Sequence, residues 1–190
     1  MTRIVAGKAG GVRLKTPPAV ITRPTSERVR EAIFSALAAW NGSVAEPVDR
    51  QMAGIRFLDL FAGSGAIGLE AASRGANSVL VEKDRNAGRV IKENEKTTKL
   101  AVDLKLMPVA KYLDNASGDF DVIFFDPPYA DEVDELIELA LPLLKADGLL
   151  VVERDRRSAA PKFPSELGDS WKLAYGETVI YYAQRSSEES

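Results

Sequence analysis

Asp126-Pro127-Pro128-Tyr129 follows the apolar run Val122-Ile123-Phe124-Phe125. An acid, two imino acids and an aromatic ring at a strand's end make poor core material. They make a good clamp for a flat ring that carries an amino group. The exocyclic amine of a nucleobase is a weak nucleophile, because its lone pair is delocalised into the ring. An Asp126 carboxylate can accept one N–H of such an amine, and the Pro127 carbonyl, fixed in direction by the Pro–Pro pair, can accept the other. Two acceptors align the lone pair with an electrophile and stabilise the positive charge that develops on nitrogen. Tyr129 offers a face on which an extruded base can stack, worth about 1–3 kcal/mol. The competing reading is a proline turn with an incidental acid.

A second stretch supplies a partner for that clamp. Asp59-Leu60-Phe61-Ala62-Gly63-Ser64-Gly65-Ala66-Ile67-Gly68 runs from an apolar segment into a helical pattern. Gly63, Gly65 and Gly68 fit G-x-G-x-x-G, whose glycines allow a tight turn, close approach to a ligand and close packing of helix on sheet. Glu82 ends the next strand, 19 residues after Gly63, where a carboxylate can accept from both hydroxyls of a ribose. The motif alone fits a nicotinamide or flavin dinucleotide as well as S-adenosylmethionine. Asp59 suits the ammonium of a methionine moiety and would repel a pyrophosphate.

These residues need a scaffold, and periodicity describes one. Segments 55–60, 78–82, 103–107, 120–125 and 148–153 read as strands, and 65–74, 85–98 and 133–144 as helices between them. Leu136, Leu139, Ala140 and Leu143 mark the inward face of the last helix. Segments 171–175 and 178–184, separated only by Gly176-Glu177, read as an antiparallel hairpin. Such alternation predicts a doubly wound α/β sheet with right-handed crossovers. The first and fourth strands are then neighbours, and ligands bind at their carboxyl ends. Upstream, 3–6 and 12–16 form a hairpin with a loose basic tip, expected to pack on the helix that follows. That helix starts at Thr25 or Ser26 and buries Val29, Ile33, Leu37 and Trp40, with Arg28, Arg30 and Glu31 mostly off the buried face. Residues 41–51 read as a linker into the main domain, and 186–190 as a disordered tail.

The chain contains no histidine and no cysteine, so imidazole catalysis, Ser-His-Asp triads, thiolate chemistry and disulfides are excluded. Catalysis must rest on carboxylates, lysine, tyrosine, backbone groups or a cofactor. No apolar run approaches the ~18 residues of a membrane span, and the first residues lack the apolar core of a signal peptide. The net charge of −3 conceals an asymmetry. Arg3, Lys8, Arg13, Lys15, Arg23, Arg28 and Arg30 against Glu27 give residues 1–30 a net +6, leaving −9 on the remainder. A basic arm on an acidic body points to a polyanionic partner. Four other residues have bland readings: Asn94 as a brace, Glu153 as a solvated strand end, Trp40 and Trp171 as core. One of Tyr181 and Tyr182 is expected to be buried.

Together, 59–68 and 126–129 resemble class I S-adenosylmethionine-dependent amino methyltransferases. Arg3-Ile4-Val5-Ala6-Gly7, Thr22-Arg23-Pro24-Thr25 and Arg28-Val29-Arg30-Glu31-Ala32 narrow the resemblance to the RsmD family, which methylates N2 of one guanine in 16S ribosomal RNA. The resemblance implies a Rossmann-like, seven-stranded, mostly parallel sheet with an antiparallel last strand. It divides the chain into a basic extension, 1–50, a methyltransferase domain, 51–185, and the tail. S-adenosylmethionine would contact Asp59, Phe61, Ala62, Gly63, Ser64, Gly65, Glu82 and Lys83. Asp126, Pro127, Pro128 and Tyr129 would hold the base. Arg3, Lys8, Arg13, Arg23, Arg28 and Arg30 would meet RNA. It further implies a cytoplasmic monomer that uses no metal and acts on 16S rRNA within a 30S particle or assembly intermediate. Two departures stand out. Met107-Pro108-Val109-Ala110 offers no polar side chain for the adenine of the cofactor, and Gly11-Val12-Arg13 shifts an arm charge by one position. The alternatives are a DNA adenine-N6 methyltransferase, a dinucleotide-dependent oxidoreductase and a non-catalytic RNA-binding module.

Overall fold

The computed structural model describes residues 2–18, 25–128 and 133–186, so Arg23, Tyr129 and most of the expected tail lie outside the described residues. Seven strands form one sheet in the order β5-β4-β3-β6-β7-β9-β8. They are β3 (Arg56–Leu60), β4 (Asn77–Glu82), β5 (Asp103–Leu106), β6 (Phe120–Phe125), β7 (Leu144–Asp155), β8 (Leu167–Tyr175) and β9 (Thr178–Arg185). The first five in that order are parallel, and β9 pairs antiparallel with both β7 and β8. This is the expected doubly wound sheet, with its strand order reversing between β3 and β6.

Strand β6 reads Phe-Asp-Val-Ile-Phe-Phe because both its faces are covered. Val122 and Phe124 pack with Phe57 and Val151 under α1 (Glu27–Trp40) and α2 (Ala66–Ser73). Ile123 and Phe125 pack with Leu58 and Val152 under α4 (Val109–Asn115) and α5 (Val133–Ala140). Helix α1 is capped by Ser26 Oγ, which accepts from Val29 N at 3.2 Å. Helix α3 (Arg85–Thr98) is capped by Asp84, whose carboxylate accepts from Asn86 N at 2.8 Å.

Several expectations are corrected. The helix after β6 ends at Ala140, and Pro142 turns residues Leu141–Leu143 into a 3₁₀ turn that feeds β7. Its buried side chains are Val133, Ile137 and Ala140; of the expected inward face Ala140 and Leu143 are buried and Leu136 is half-buried, while Leu139 is 40% exposed. Helix α4 is an addition to the expected elements, with too few apolar repeats for periodicity to reveal it. Trp171 is not core: it lies exposed on β8, stacked on the buried Tyr182 with ring centroids 5.1 Å apart.

The N-terminal hairpin is short, with β1 (Thr2–Arg3) and β2 (Arg13–Leu14), and its tip is not loose. It packs on α2 rather than chiefly on α1, burying Ile4, Ala9 and Leu14 against Leu69 and Ala72. Buried Glu70 accepts from Val5 N at 2.6 Å and Ala6 N at 3.0 Å. Buried Ser73 accepts from Ala9 N through Oγ and from Lys8 N through its carbonyl. Gly7 is indispensable here: its φ is +84°, and a Cβ would lie 2.1 Å from Ser73 O. Asn94 braces the same assembly, bonding Lys15 N, Lys15 O and Ser64 O.

Candidate active site

A cleft of about 960 Å³ opens at the carboxyl edge of the sheet, across the β3–β6 reversal. Phe61, Ala62, Gly63, Ser64, Glu82 and Lys83 line one end of it, and Asp126, Pro127 and Pro128 line the other, with Asp59 between. The structure thus brings the two sequence stretches into one site. The loop after β3 is tightly wound: Phe61 has φ 69°, a left-handed value unusual for an aromatic residue. Gly65 opens α2 with φ 79°. Gly68 lets the helix approach the sheet, since a Cβ there would meet Leu80 Cδ1 at 2.5 Å.

The acids have distinct tasks. Glu82 accepts from Gly63 N and Asp84 N, both at 2.8 Å, and so fixes the glycine loop relative to β4. Each of its oxygens keeps a further lone pair for a ribose hydroxyl. Asp59 is 2% exposed, and its Oδ2 accepts from Gly68 N at 2.9 Å. Burial pushes its carboxyl up to about 8; the Gly68 amide opposes the shift, and the charges of Glu82 and Glu153 add to it. A buried acid at this position is stabilised by a ligand cation. Asp126 is likewise pushed well up, first by burial, then by Glu153 and Asp59. Pro108, Val109 and Ala110 with Ala87 form an apolar wall near Glu82. A sulfonium cofactor with an amino-acid tail, a ribose and an adenine fits this set: acid at the tail, carboxylate at the ribose, apolar wall at the base.

Two sequence readings of site residues are overturned. Glu153 is no solvated strand end. It is 8% exposed, lines the cleft, and accepts from Thr25 Oγ1 at 2.7 Å. Burial pushes its carboxyl up to about 7, against the Thr25 hydrogen bond and the Arg30 charge. The available signal was its position: it follows the apolar run 149–152 on the strand next to β6, which Asp126 follows. Arg30 is not a surface cation. It is fully buried and donates to Thr2 Oγ1, the Thr25 carbonyl and the Arg3 carbonyl, tying the hairpin to α1. A guanidinium spent on those acceptors is not available to phosphate. Arg3, Lys8, Arg13 and Arg28 are exposed, Arg3 in a surface pair with Glu27 at 3.0 Å.

The sheet order, the glycine loop and the acid-lined cleft are those of a class I methyltransferase, the S-adenosylmethionine-dependent class. Comparison with known proteins agrees and goes further. The model of the family described as conserved hypothetical protein 95 matches residues 2–184. YlbH of Bacillus subtilis (strain 168) is 33% identical, covering 96% of this chain and 99% of its own length. Ribosomal RNA small subunit methyltransferase D of Escherichia coli (strain K12) is 31% identical over 98% of this chain and 91% of its own. The solved structure of a hypothetical protein from Thermus thermophilus superposes with a TM-score of 0.80 at 38% identity, covering 96% of this chain and 98% of that one. The chain belongs to this family, the RsmD-like methyltransferases.

Proposed function

We propose that the protein transfers a methyl group from S-adenosylmethionine to N2 of one guanine in 16S rRNA. The observation that carries this is the convergence of Asp126 and Pro127 with the Gly63 loop and Asp59 in one cleft. The cofactor supplies an electrophilic methyl group. Asp59 takes the ammonium of its tail, Glu82 its ribose, and Gly63, Ser64, Gly65, Phe61, Ala62 and Lys83 surround it. The guanine leaves its stack and enters the cleft, with Tyr129 as its stacking face. Asp126 and the Pro127 carbonyl accept the two N–H bonds of its amine, with Pro128 holding that carbonyl's direction. The proton lost from nitrogen passes to solvent or to Asp126. Lys8, Arg13 and Arg28, together with Arg3, supply phosphate contacts along the hairpin and α1, and Arg23 is a further phosphate contact. A relative of nearly equal length that is named for small-subunit rRNA methylation supports the choice of RNA. The enzyme acts as a monomer on an assembled particle or assembly intermediate, with residues 1–50 facing the RNA.

The test uses labelled S-adenosylmethionine with undermethylated 30S particles, naked 16S RNA and duplex DNA, each product mapped by mass spectrometry. Methyl on N2 of a single guanine of the particle is the expected result. Transfer confined to DNA adenine refutes the reading, and cofactor binding without transfer to any of the three reduces the protein to a binding module.

A further inference from the structure

Among the buried acids of the cleft, Glu153 has no part in holding the cofactor or the amine as proposed above. Its placement is specific. Strands β6 and β7 are parallel with Phe124 opposite Val151 and Phe125 opposite Val152. The next residues along each chain are Asp126 and Glu153, side by side at the sheet's edge, where neighbouring strands lie about 4.8 Å apart. Both line the same cleft.

Glu153 is more than nine-tenths buried and lines the cleft. Oε2 accepts from Thr25 Oγ1, and Oε1 accepts no hydrogen bond among the described residues. The nearby cation does not serve it: Arg30 donates to Thr2, to Thr25 O and to Arg3 O. Oε1 keeps its acceptor capacity for a donor that arrives with a ligand in the cleft.

Purine chemistry says which ligand brings that donor. On guanine, the N2 amine and N1–H sit next to each other and point the same way, both as donors. On adenine, the atom beside the N6 amine is a bare N1, an acceptor. Two adjacent acceptors therefore match guanine, and the second one repels adenine. Resting on the N2-guanine reading above, we infer that Glu153 accepts N1–H of the guanine whose amine is held by Asp126 and Pro127. The choice of guanine over adenine then lies with this second carboxylate, and Thr25 at the start of α1 holds it in place.

The inference is tested with 30S particles reconstituted from rRNA whose target guanine is replaced by 2-aminopurine. That base keeps the N2 amine but presents a lone pair at N1. Wild-type kcat/KM should fall roughly 10- to 100-fold on the analogue, the scale of one charge-assisted hydrogen bond. Glu153→Gln can donate its amide to that lone pair, so it should erase most of the preference while binding S-adenosylmethionine as before. Two results overturn the assignment: a wild type indifferent to the replacement, or a variant that loses equally on both bases. If Glu153→Gln fails to fold, Glu153→Asp withdraws the acid by one methylene and is read the same way. A reduced preference supports the role, and an unchanged one overturns it. A wild type that leaves N2 of guanine unmethylated refutes the broader function instead, which separates the two failures.

Discussion

Glu70→Gln tests whether the N-terminal hairpin is built into the fold before any RNA is met. The Glu70 carboxylate is fully buried and accepts from Val5 N at 2.6 Å, Ala6 N at 3.0 Å and Arg74 Nε at 3.0 Å. An amide keeps the shape but turns one acceptor into a donor, so at least one part-buried backbone N–H of the hairpin loses its partner. That costs about 1–3 kcal/mol. Arg74, 2% exposed, would keep only the half-exposed Glu31, at 2.9 Å, as an anionic partner among the described residues. Removing one member of a buried pair costs about 3–5 kcal/mol, and Glu31 offsets part of it. The total is about 3–5 kcal/mol, a lowering of Tm by roughly 10 °C at this chain length. Hydrogen exchange localises the effect. The amides of Val5, Ala6, Lys8 and Ala9 should exchange far faster than in wild type, while those of β3 and β6 stay protected below the transition. A variant with wild-type Tm and unchanged exchange at Val5 and Ala6 would show that the carboxylate does not hold the hairpin.

Asp126→Ala should lower methyl transfer about 100- to 1000-fold, the cost of losing an acceptor at developing charge, with cofactor affinity little changed in equilibrium binding. Equal losses in turnover and affinity would remove Asp126 from the amine. Gly68→Ala should destabilise by about 1–2 kcal/mol in urea unfolding, since its Cβ would overlap Leu80 at 2.5 Å and the gain in helix propensity offsets only part of the clash. No loss of stability there would mean that α2 and β4 can separate freely. The buried acids set a pH dependence. Asp59 and Glu153 titrate near 8 and 7 when folded, against roughly 4 when unfolded, so the folded state holds protons that the unfolded state releases. The stability they contribute is full below about pH 4 and is lost as pH rises through 7 to 8. Calorimetry of the free protein should show Tm falling across that window, with a flatter fall in Asp59→Asn; an equally steep fall in that variant would remove Asp59 as a cause.

The sheet was legible because its signals are local. The Val122–Phe125 run, the glycine spacing at 63, 65 and 68, and the two-residue Gly176-Glu177 connection each report their own surroundings. The clamp and the glycine loop share a cleft because strand order follows from crossover rules. What the sequence concealed depends on contacts between distant segments. Arg30 stands among charges at the edge of an amphipathic pattern, and nothing local shows that the Thr2 hydroxyl and two carbonyls surround it. Glu70 sits mid-helix and Ser73 at the helix's end like solvated residues, yet the hairpin covers them some 65 residues away in sequence. Burial of a polar side chain is set by its partners, and partners far along the chain leave no periodic trace.

These long-range contacts also change what the basic arm is. Read from composition, it is a charged extension beside an acidic body. In the fold, Arg30 fastens β1 to α1, Glu70 and Ser73 fasten the hairpin to α2, and Thr25 reaches from the start of α1 to Glu153 in the cleft. Asn94 joins Lys15, just after the hairpin's second strand, to Ser64 in the glycine loop. The arm therefore adjoins both ends of the cleft through hydrogen bonds to named atoms. A hairpin fixed in this way presents Lys8 and Arg13 at a set distance from Asp126, with little ordering entropy left to lose on binding. Under the proposed reading, its cations do more than raise affinity: they fix which nucleotide of a docked RNA lies over the clamp, and Glu153 then admits that nucleotide only if its base is guanine.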